Sequence, residues 1–202
     1  MVPMISSSLK PAVTRLINPV ARLAIRLGLT PNMVTIAGTF GVVASSIYFF
    51  SRESYFLGAI VVTLLSFSDL FDGAMARISQ QGPSSWGGFL DSTLDRVTDF
   101  SITIALLVPL VRKDDKLSYL GLVILVTGLL IPYIRAKAES FGITCTVGIA
   151  ERTERLAILL ISAGLHGLHI HYALAIGFWF LAILGLITVL QRLNTVYRGL
   201  KQ

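Results

Sequence analysis

The sequence predicts an all-α integral membrane protein, with six transmembrane helices behind an N-terminal cytoplasmic amphipathic helix. Three observations carry that expectation. Hydrophobic residues make up 54% of the 202 residues and charged ones only 14%, against roughly 25% charged in soluble domains. Six apolar stretches are long enough, or nearly so, to cross a bilayer, which takes about 20 residues. Lys and Arg divide unequally between the two sides those stretches define. The same composition, with a mean hydropathy of +0.76, excludes intrinsic disorder. One cysteine, Cys145, excludes an internal disulfide framework and a multi-cysteine zinc site. On so apolar a chain the net charge of +6 points to anionic lipid or phosphorylated ligands and not to nucleic acid.

At the N-terminus, Leu9, Val13, Leu16, Ile17, Val20, Leu23, Ala24 and Leu27 recur at helical spacing. Lys10, Arg22 and Arg26 fall largely on another face, and Pro11 and Pro19 start or kink the element. A basic amphipathic helix lying on the leaflet fits this pattern. Its dispersed charges, with no compact apolar run before a cleavage site, do not suit a signal peptide. Spans are expected near 33–51, 55–76, 91–112, 117–138, 153–168 and 171–191. The first, fourth and sixth are clean, whereas Asp69, Asp72, Asp91 and Asp95 interrupt the second and third. The fifth is short and continues a helix that begins in the preceding loop. With no repeat or linker visible, residues 1–202 read as one domain, residues 1–30 juxtamembrane and 31–202 the six-helix bundle. With both termini on one side, that side holds thirteen of the 17 Lys and Arg residues. The other keeps Arg52, Arg112, Lys113 and Lys116, so the termini are expected in the cytoplasm.

Four of the eleven acids lie between Ser68 and Asp95. Asp69 and Asp72 are three apart and Asp91 and Asp95 four apart, so each pair shares a helix face. Gly82 and Pro83 supply a turn between them, which would let the two helices pair antiparallel and bring both faces together. Four carboxylates repel unless cations neutralise them, and two divalent ions carry the required charge. Oxygen-only ligands favour Mg²⁺ or Mn²⁺ over zinc. Intramembrane acids are functional more often than structural. The small residues among them, Gly73, Ala74, Ala76, Gly87 and Gly88, permit close approach of a phosphate or a neighbouring helix.

Asp69-x-x-Asp72-Gly73-x-x-Ala76-Arg77 followed by Gly87-x-x-x-Asp91-x-x-x-Asp95 resembles the signature of the CDP-alcohol phosphotransferases. The spacer of residues 78–86 is one longer than the family's usual eight. The resemblance extends to the six-helix layout and the N-terminal helix. It implies that a CDP-linked lipid is attacked by an alcohol at the β-phosphorus and that CMP leaves. It makes Asp69, Asp72, Asp91 and Asp95 metal ligands, with Asp95 also the base that takes the acceptor's proton. Gly73, Ala76, Arg77 and Gly87 would line the CDP pocket, with Pro31, Asn32 and Thr35 closing over the nucleotide. It further implies a homodimer in a bacterial plasma membrane, with the active site facing the cytoplasm.

A second cluster is basic: Arg135 and Lys137, Arg152 and Arg155, and Arg192, at three expected helix ends in the same layer as the aspartates. Topology alone places basic residues there, but five together suit a phosphate. Glu151 and Glu154 are expected to orient the arginines or cap the fifth helix. The segments YIRAKAES (133–140), IAERTERL (149–156) and LQRLNTVYR (190–198) are similar to those of actinobacterial phosphatidylinositol-phosphate synthases. That resemblance implies CDP-diacylglycerol and inositol phosphate as substrates, the acceptor's phosphate held by these five residues. A phosphatidylglycerophosphate synthase using glycerol 3-phosphate is the runner-up. A divalent-cation transporter, a different class, would show related halves, whereas here the acids cluster in one half and the bases in the other. Asp99, one turn beyond Asp95, lies outside the family pattern and is expected to pair with a buried polar group. His166, His169 and His171 fall on the outer side.

Overall fold

A computed structural model describes residues 18–78, 82, 84–149 and 151–201. Among them there are helices and no strands. Residues 18–26 form α1, followed by α2 (Pro31–Phe50), α3 (Tyr55–Ser66), α4 (Ser68–Ile78), α5 (Ser85–Arg112), α6 (Leu117–Ser140), α7 (Arg152–Gly167) and α8 (Ala173–Leu200). The helix starts follow local chemistry. Thr30 Oγ1 accepts the Met33 N–H at 3.3 Å with Pro31 opening α2. Ser84 Oγ accepts the Gly87 N–H at 2.9 Å to open α5. Each hydroxyl satisfies one of the four N–H groups a helix start leaves bare. Glu151 and Glu154 form a capping box before α7, with the Glu151 N–H donating to Glu154 Oε2 at 3.0 Å.

The main core is a continuous apolar cluster. It contains Val42 and Phe50 of α2, Val62 of α3, Ile102 and Leu106 of α5, Leu159 and Ala163 of α7, and Phe178 and Leu181 of α8. Close helix approach depends on small residues. A Cβ added at Gly185 of α8 would lie 2.6 Å from Thr127 Oγ1 of α6, and one at Gly38 of α2 would overlap Ser68 of α4. Outward faces are strongly apolar, with Phe40 75% exposed and Leu57, Leu64, Val126 and Leu190 also outside. A surface of this kind suits lipid as its solvent.

Four stretches are long and apolar enough to cross a membrane: Pro31–Phe50, Tyr55–Ile78, Leu117–Ser140 and Ala173–Leu200. The expected third and fifth spans do not reach that standard. The first half of α5 carries Asp91, Asp95, Arg96 and Asp99, and α7 has only 16 residues. The expected second span is two helices, broken at Phe67. Another expectation is corrected by the packing: α4 and α5 do not pair along each other, and α2 packs against both. In α1, Ala21 is buried on Ala74 and Met75 of α4, with Ala24 and Ile25 packed beside it. Val20, Leu23 and Leu27 remain exposed together with Arg22 and Arg26. Residues 1–17, which include Leu9, Lys10, Val13, Leu16 and Ile17, lie outside the described residues, as does Pro83.

Candidate active site

Because α2 stands between α4 and α5, the two aspartate pairs face each other across a cleft with the first turn of α2 as its third wall. The cleft has a volume of about 690 Å³. Its lining includes Asp69, Asp72, Gly73 and Ala76 from α4, Gly87, Asp91 and Asp95 from α5, and Pro31, Asn32 and Thr35 from α2. Of the aspartate and CDP-pocket residues expected from sequence, only Arg77 is not part of the lining. It is exposed, and its Nη1 lies 3.5 Å from where a Gly73 Cβ would stand.

The first turns of α2 and α5 both border this cleft, at Thr30 to Asn32 and at Ser84 to Gly88. Helix N-termini present N–H groups and the positive end of the helix dipole, which suits an anion such as a pyrophosphate. Glycine keeps the α5 wall low. A Cβ at Gly87 would come within 3.0 Å of Ser84 Oγ and 3.3 Å of Asn32 Oδ1. Thr30, Ser84, Gly28 and Gly82 also line the cleft, and the sequence reading missed them. For Thr30 and Ser84 the signal was available, since each is a hydroxyl residue immediately before a helical run.

The carboxylates are anchored differently. Asp72 is only 7% exposed, and the Thr35 hydroxyl donates to its Oδ2 at 2.6 Å. Arg152, the first residue of α7, reaches into the cluster from the opposite side. Its Nη1 lies 2.9 Å from Asp69 Oδ2 and 2.9 Å from Asp95 Oδ1, and its Nε donates to Asp99 Oδ1 at 3.2 Å. Arg96 Nη1 is 3.7 Å from Asp95 Oδ2. Three of the five carboxylates, Asp69, Asp95 and Asp99, therefore meet the one Arg152 guanidinium. The donor set is all oxygen and carries excess negative charge, which fits a hard divalent cation. Among the described residues, no three acids, histidines or cysteines converge closely enough to hold a metal as they stand. The Arg152 guanidinium spans the gap between Asp69 and Asp95.

The five basic residues expected to form one phosphate pocket are not gathered side by side. Arg152 points into the aspartates instead. Arg135 is exposed and pairs with Glu139 at 3.0 Å, one helical turn away. Lys137 lies over the Phe141 ring, 4.9 Å from its centroid. Arg192 is buried; its Nε donates to the Val147 carbonyl at 2.9 Å and its Nη1 to that of Ile131 at 2.5 Å. Arg155 Nη2 is 4.0 Å from Asp99 Oδ2. Arg155 nevertheless lies near Arg152 and Arg192, and Arg192 near Arg135. Asp99 pairs with Arg152, and Glu151 and Glu154 cap α7. His166 packs against Tyr55 at the far end of the bundle, with ring centroids 5.0 Å apart.

The family model for CDP-alcohol phosphatidyltransferase matches residues 28–191, a range that contains every cleft residue named above. A phosphatidylinositol phosphate synthase of Streptomyces avermitilis is 43% identical over 195 residues, covering 92% of this chain and 79% of the relative. The crystal structure of a Mycobacterium tuberculosis phosphatidylinositol phosphate synthase with CDP-DAG bound superposes with a TM-score of 0.86 at 40% identity, covering 91% of this chain and 94% of that one. A structure of the same enzyme with manganese and citrate also gives 0.86 at 40% identity, covering 90% and 88% of the two chains.

Proposed function

The chain belongs to the CDP-alcohol phosphatidyltransferase family, and we propose that it transfers the phosphatidyl group of CDP-diacylglycerol to a hydroxyl of inositol phosphate. The products are phosphatidylinositol phosphate and CMP. One observation carries this reading: both aspartate pairs and two helix N-termini border a single cleft. Similarity to phosphatidylinositol phosphate synthases over nine-tenths of the chain supports the choice of acceptor.

Residue roles follow from the cleft. Pro31, Asn32, Thr35, Gly73, Ala76 and Gly87 receive the CDP moiety, with Arg77 at the rim beside Gly73. Asp69, Asp72, Asp91 and Asp95 hold two divalent ions, Mg²⁺ or Mn²⁺; the relative's complex with manganese supports divalent binding. Ions held there supply positive charge against the phosphoryl oxygens and the leaving CMP. The acceptor oxygen attacks the phosphorus that carries the diacylglycerol, forming a new P–O bond as the bond to CMP breaks. Asp95 takes the hydroxyl proton. Arg155, Arg192 and Arg135 form the strip that receives the acceptor's phosphate, with Lys137 at its margin. Arginine suits this role because its planar fork matches phosphate oxygens.

The apolar helices make this a membrane protein. Within that frame we place α5 and α7 as the two further spans, giving six, with α1 on the membrane surface. The excess of Lys and Arg supports cytoplasmic termini and a cytoplasmic cleft in a bacterial plasma membrane, and the family resemblance supports a homodimer. A cleft at that interface admits the lipid sideways while CMP and inositol phosphate exchange with water.

The test is CMP release by purified protein with CDP-diacylglycerol and Mg²⁺. Turnover is expected with inositol phosphate and not with free inositol or glycerol 3-phosphate. Equal turnover with all three overturns the acceptor assignment, and turnover with glycerol 3-phosphate alone makes the protein a phosphatidylglycerophosphate synthase. Metal flux into sealed liposomes without CMP release would instead identify a transporter. Asp95→Asn should retain CDP-diacylglycerol binding and lose turnover by about 100-fold or more; loss of binding would remove Asp95 from the role of base.

A further inference from the structure

We propose that Arg152 is a resident counter-cation of the aspartate cluster that divalent ions displace, and that Asp99 is the positioning residue that receives it. The proposal rests on the reading of the aspartates as a divalent-cation site. Arg152 Nη1 sits 2.9 Å from an oxygen of Asp69 and 2.9 Å from one of Asp95, so a single nitrogen joins the two halves of the motif. A small divalent ion binds carboxylate oxygens at about 2.0–2.1 Å, and a guanidinium between the same two oxygens excludes it by volume and by charge. Arg152 and the ions therefore compete for Asp69 and Asp95.

The surroundings of Arg152 supply a second position. Its Nε already donates to Asp99, which lines a separate small cavity and not the main cleft. Asp69 and Asp95 line the cleft and not the cavity, while Arg152 borders both. That cavity, about 40 Å³, has Asp99, Thr103, Gly128, Arg155 and Leu156 in its walls. It has room for about one water-sized group, so a guanidinium can withdraw Nη1 into it while keeping its bond to Asp99. Arg152 is also the first residue of α7. A cation at a helix N-terminus is disfavoured by the dipole, so its place there depends on the carboxylates. In the withdrawn position Arg152 stays beside Arg155, at the end of the strip assigned to the acceptor phosphate.

The competing arrangement is a static clamp, in which Arg152 stays on Asp69 and Asp95 with or without metal. Thermal melting of the full-length protein in detergent separates the two. Arg152→Gln should lower the melting temperature by several degrees in chelator and by clearly less in saturating Mn²⁺, where only the pairing with Asp99 is lost. An equal loss in both conditions overturns the exchange. A second measurement uses Mn²⁺ binding read by the EPR signal of the free ion. Asp99→Asn should weaken Mn²⁺ binding by about tenfold in the wild-type background and by less than about twofold with Arg152→Gln already present. Removal of a carboxylate charge alone would weaken binding by the same factor in both backgrounds, and that result refutes the role of Asp99. If wild-type protein binds no Mn²⁺, the cation-site reading fails and the exchange fails with it. If it binds Mn²⁺ and the cycle shows no coupling, only the exchange fails.

Discussion

Thr35→Val removes one hydroxyl from the cleft and nothing else of comparable size. The Thr35 Oγ1 lies 2.6 Å from Asp72 Oδ2 and 3.1 Å from the Pro31 carbonyl. It has a single proton, and the short distance to a charged acceptor assigns that proton to Asp72. Both side chains are 7% exposed, so little water can replace the bond. A hydrogen bond to a charged group is worth about 1.5–3 kcal/mol, or roughly 10- to 150-fold in an equilibrium or rate constant. The valine variant should keep the helix, because Thr and Val are both β-branched, while Asp72 loses the hydroxyl that donates to it. We expect kcat/KM for CMP release to fall by about that factor, with Mn²⁺ binding weakened in parallel. Thr35→Ser restores the hydroxyl and should recover most of the loss. Activity within about twofold of wild type in Thr35→Val, or equal damage in the serine and valine variants, would refute this account.

Two other substitutions test separate walls of the site. Gly87→Ala places a Cβ 3.0 Å from Ser84 Oγ and 3.3 Å from Asn32 Oδ1, and should weaken CDP-diacylglycerol binding by about tenfold with about 1 kcal/mol or less of stability lost, reflecting the strained cap. A binding isotherm with CDP-diacylglycerol and a melting curve together check it; a large loss of stability with unchanged affinity would contradict it. Arg192→Met breaks the bonds to the Val147 and Ile131 carbonyls. At about 1.5 kcal/mol or more for a charged bond, loss of the Val147 contact should destabilise the 141–149 loop by about that amount, seen as faster hydrogen exchange there, while loss of the Ile131 contact falls on the packing of α8 against α6. Arg192→Lys should rescue this only in part, because an ammonium cannot span both carbonyls with a fork.

What the sequence made legible was local. Asp69 with Asp72, and Asp91 with Asp95, sit at spacings that any helix turns to one side, and Thr30-Pro31 is a readable helix start. The break at Phe67 was not readable, because no Pro or Gly marks it; Ser66 Oγ donates back to the Val62 carbonyl at 2.8 Å, a bond available to many serines that end no helix. The antiparallel pairing expected of α4 and α5 failed for a related reason. A turn at Gly82 allows that geometry, but the decision belonged to α2, whose small Gly38 admits Ser68 and draws α4 onto it.

The destination of the charges was the least legible part, and the physical reason is specific to a membrane chain. An ion pair within one helix can be read from spacing, as Arg135 with Glu139 shows. Arg152 meets Asp69 across 83 positions, and nothing local distinguishes it from Arg155, three residues on. Both arginines sit in the first turn of α7, yet the turn of the helix directs one to the motif aspartates and leaves the other at 4.0 Å from Asp99. In lipid surroundings each of those charges needs a partner, so a substitution at one transfers its cost to the others. The five basic residues therefore cannot act as interchangeable phosphate ligands. Their loss should fall on different measurements: metal exchange for Arg152, loop order together with acceptor KM for Arg192, and acceptor KM alone for Arg155.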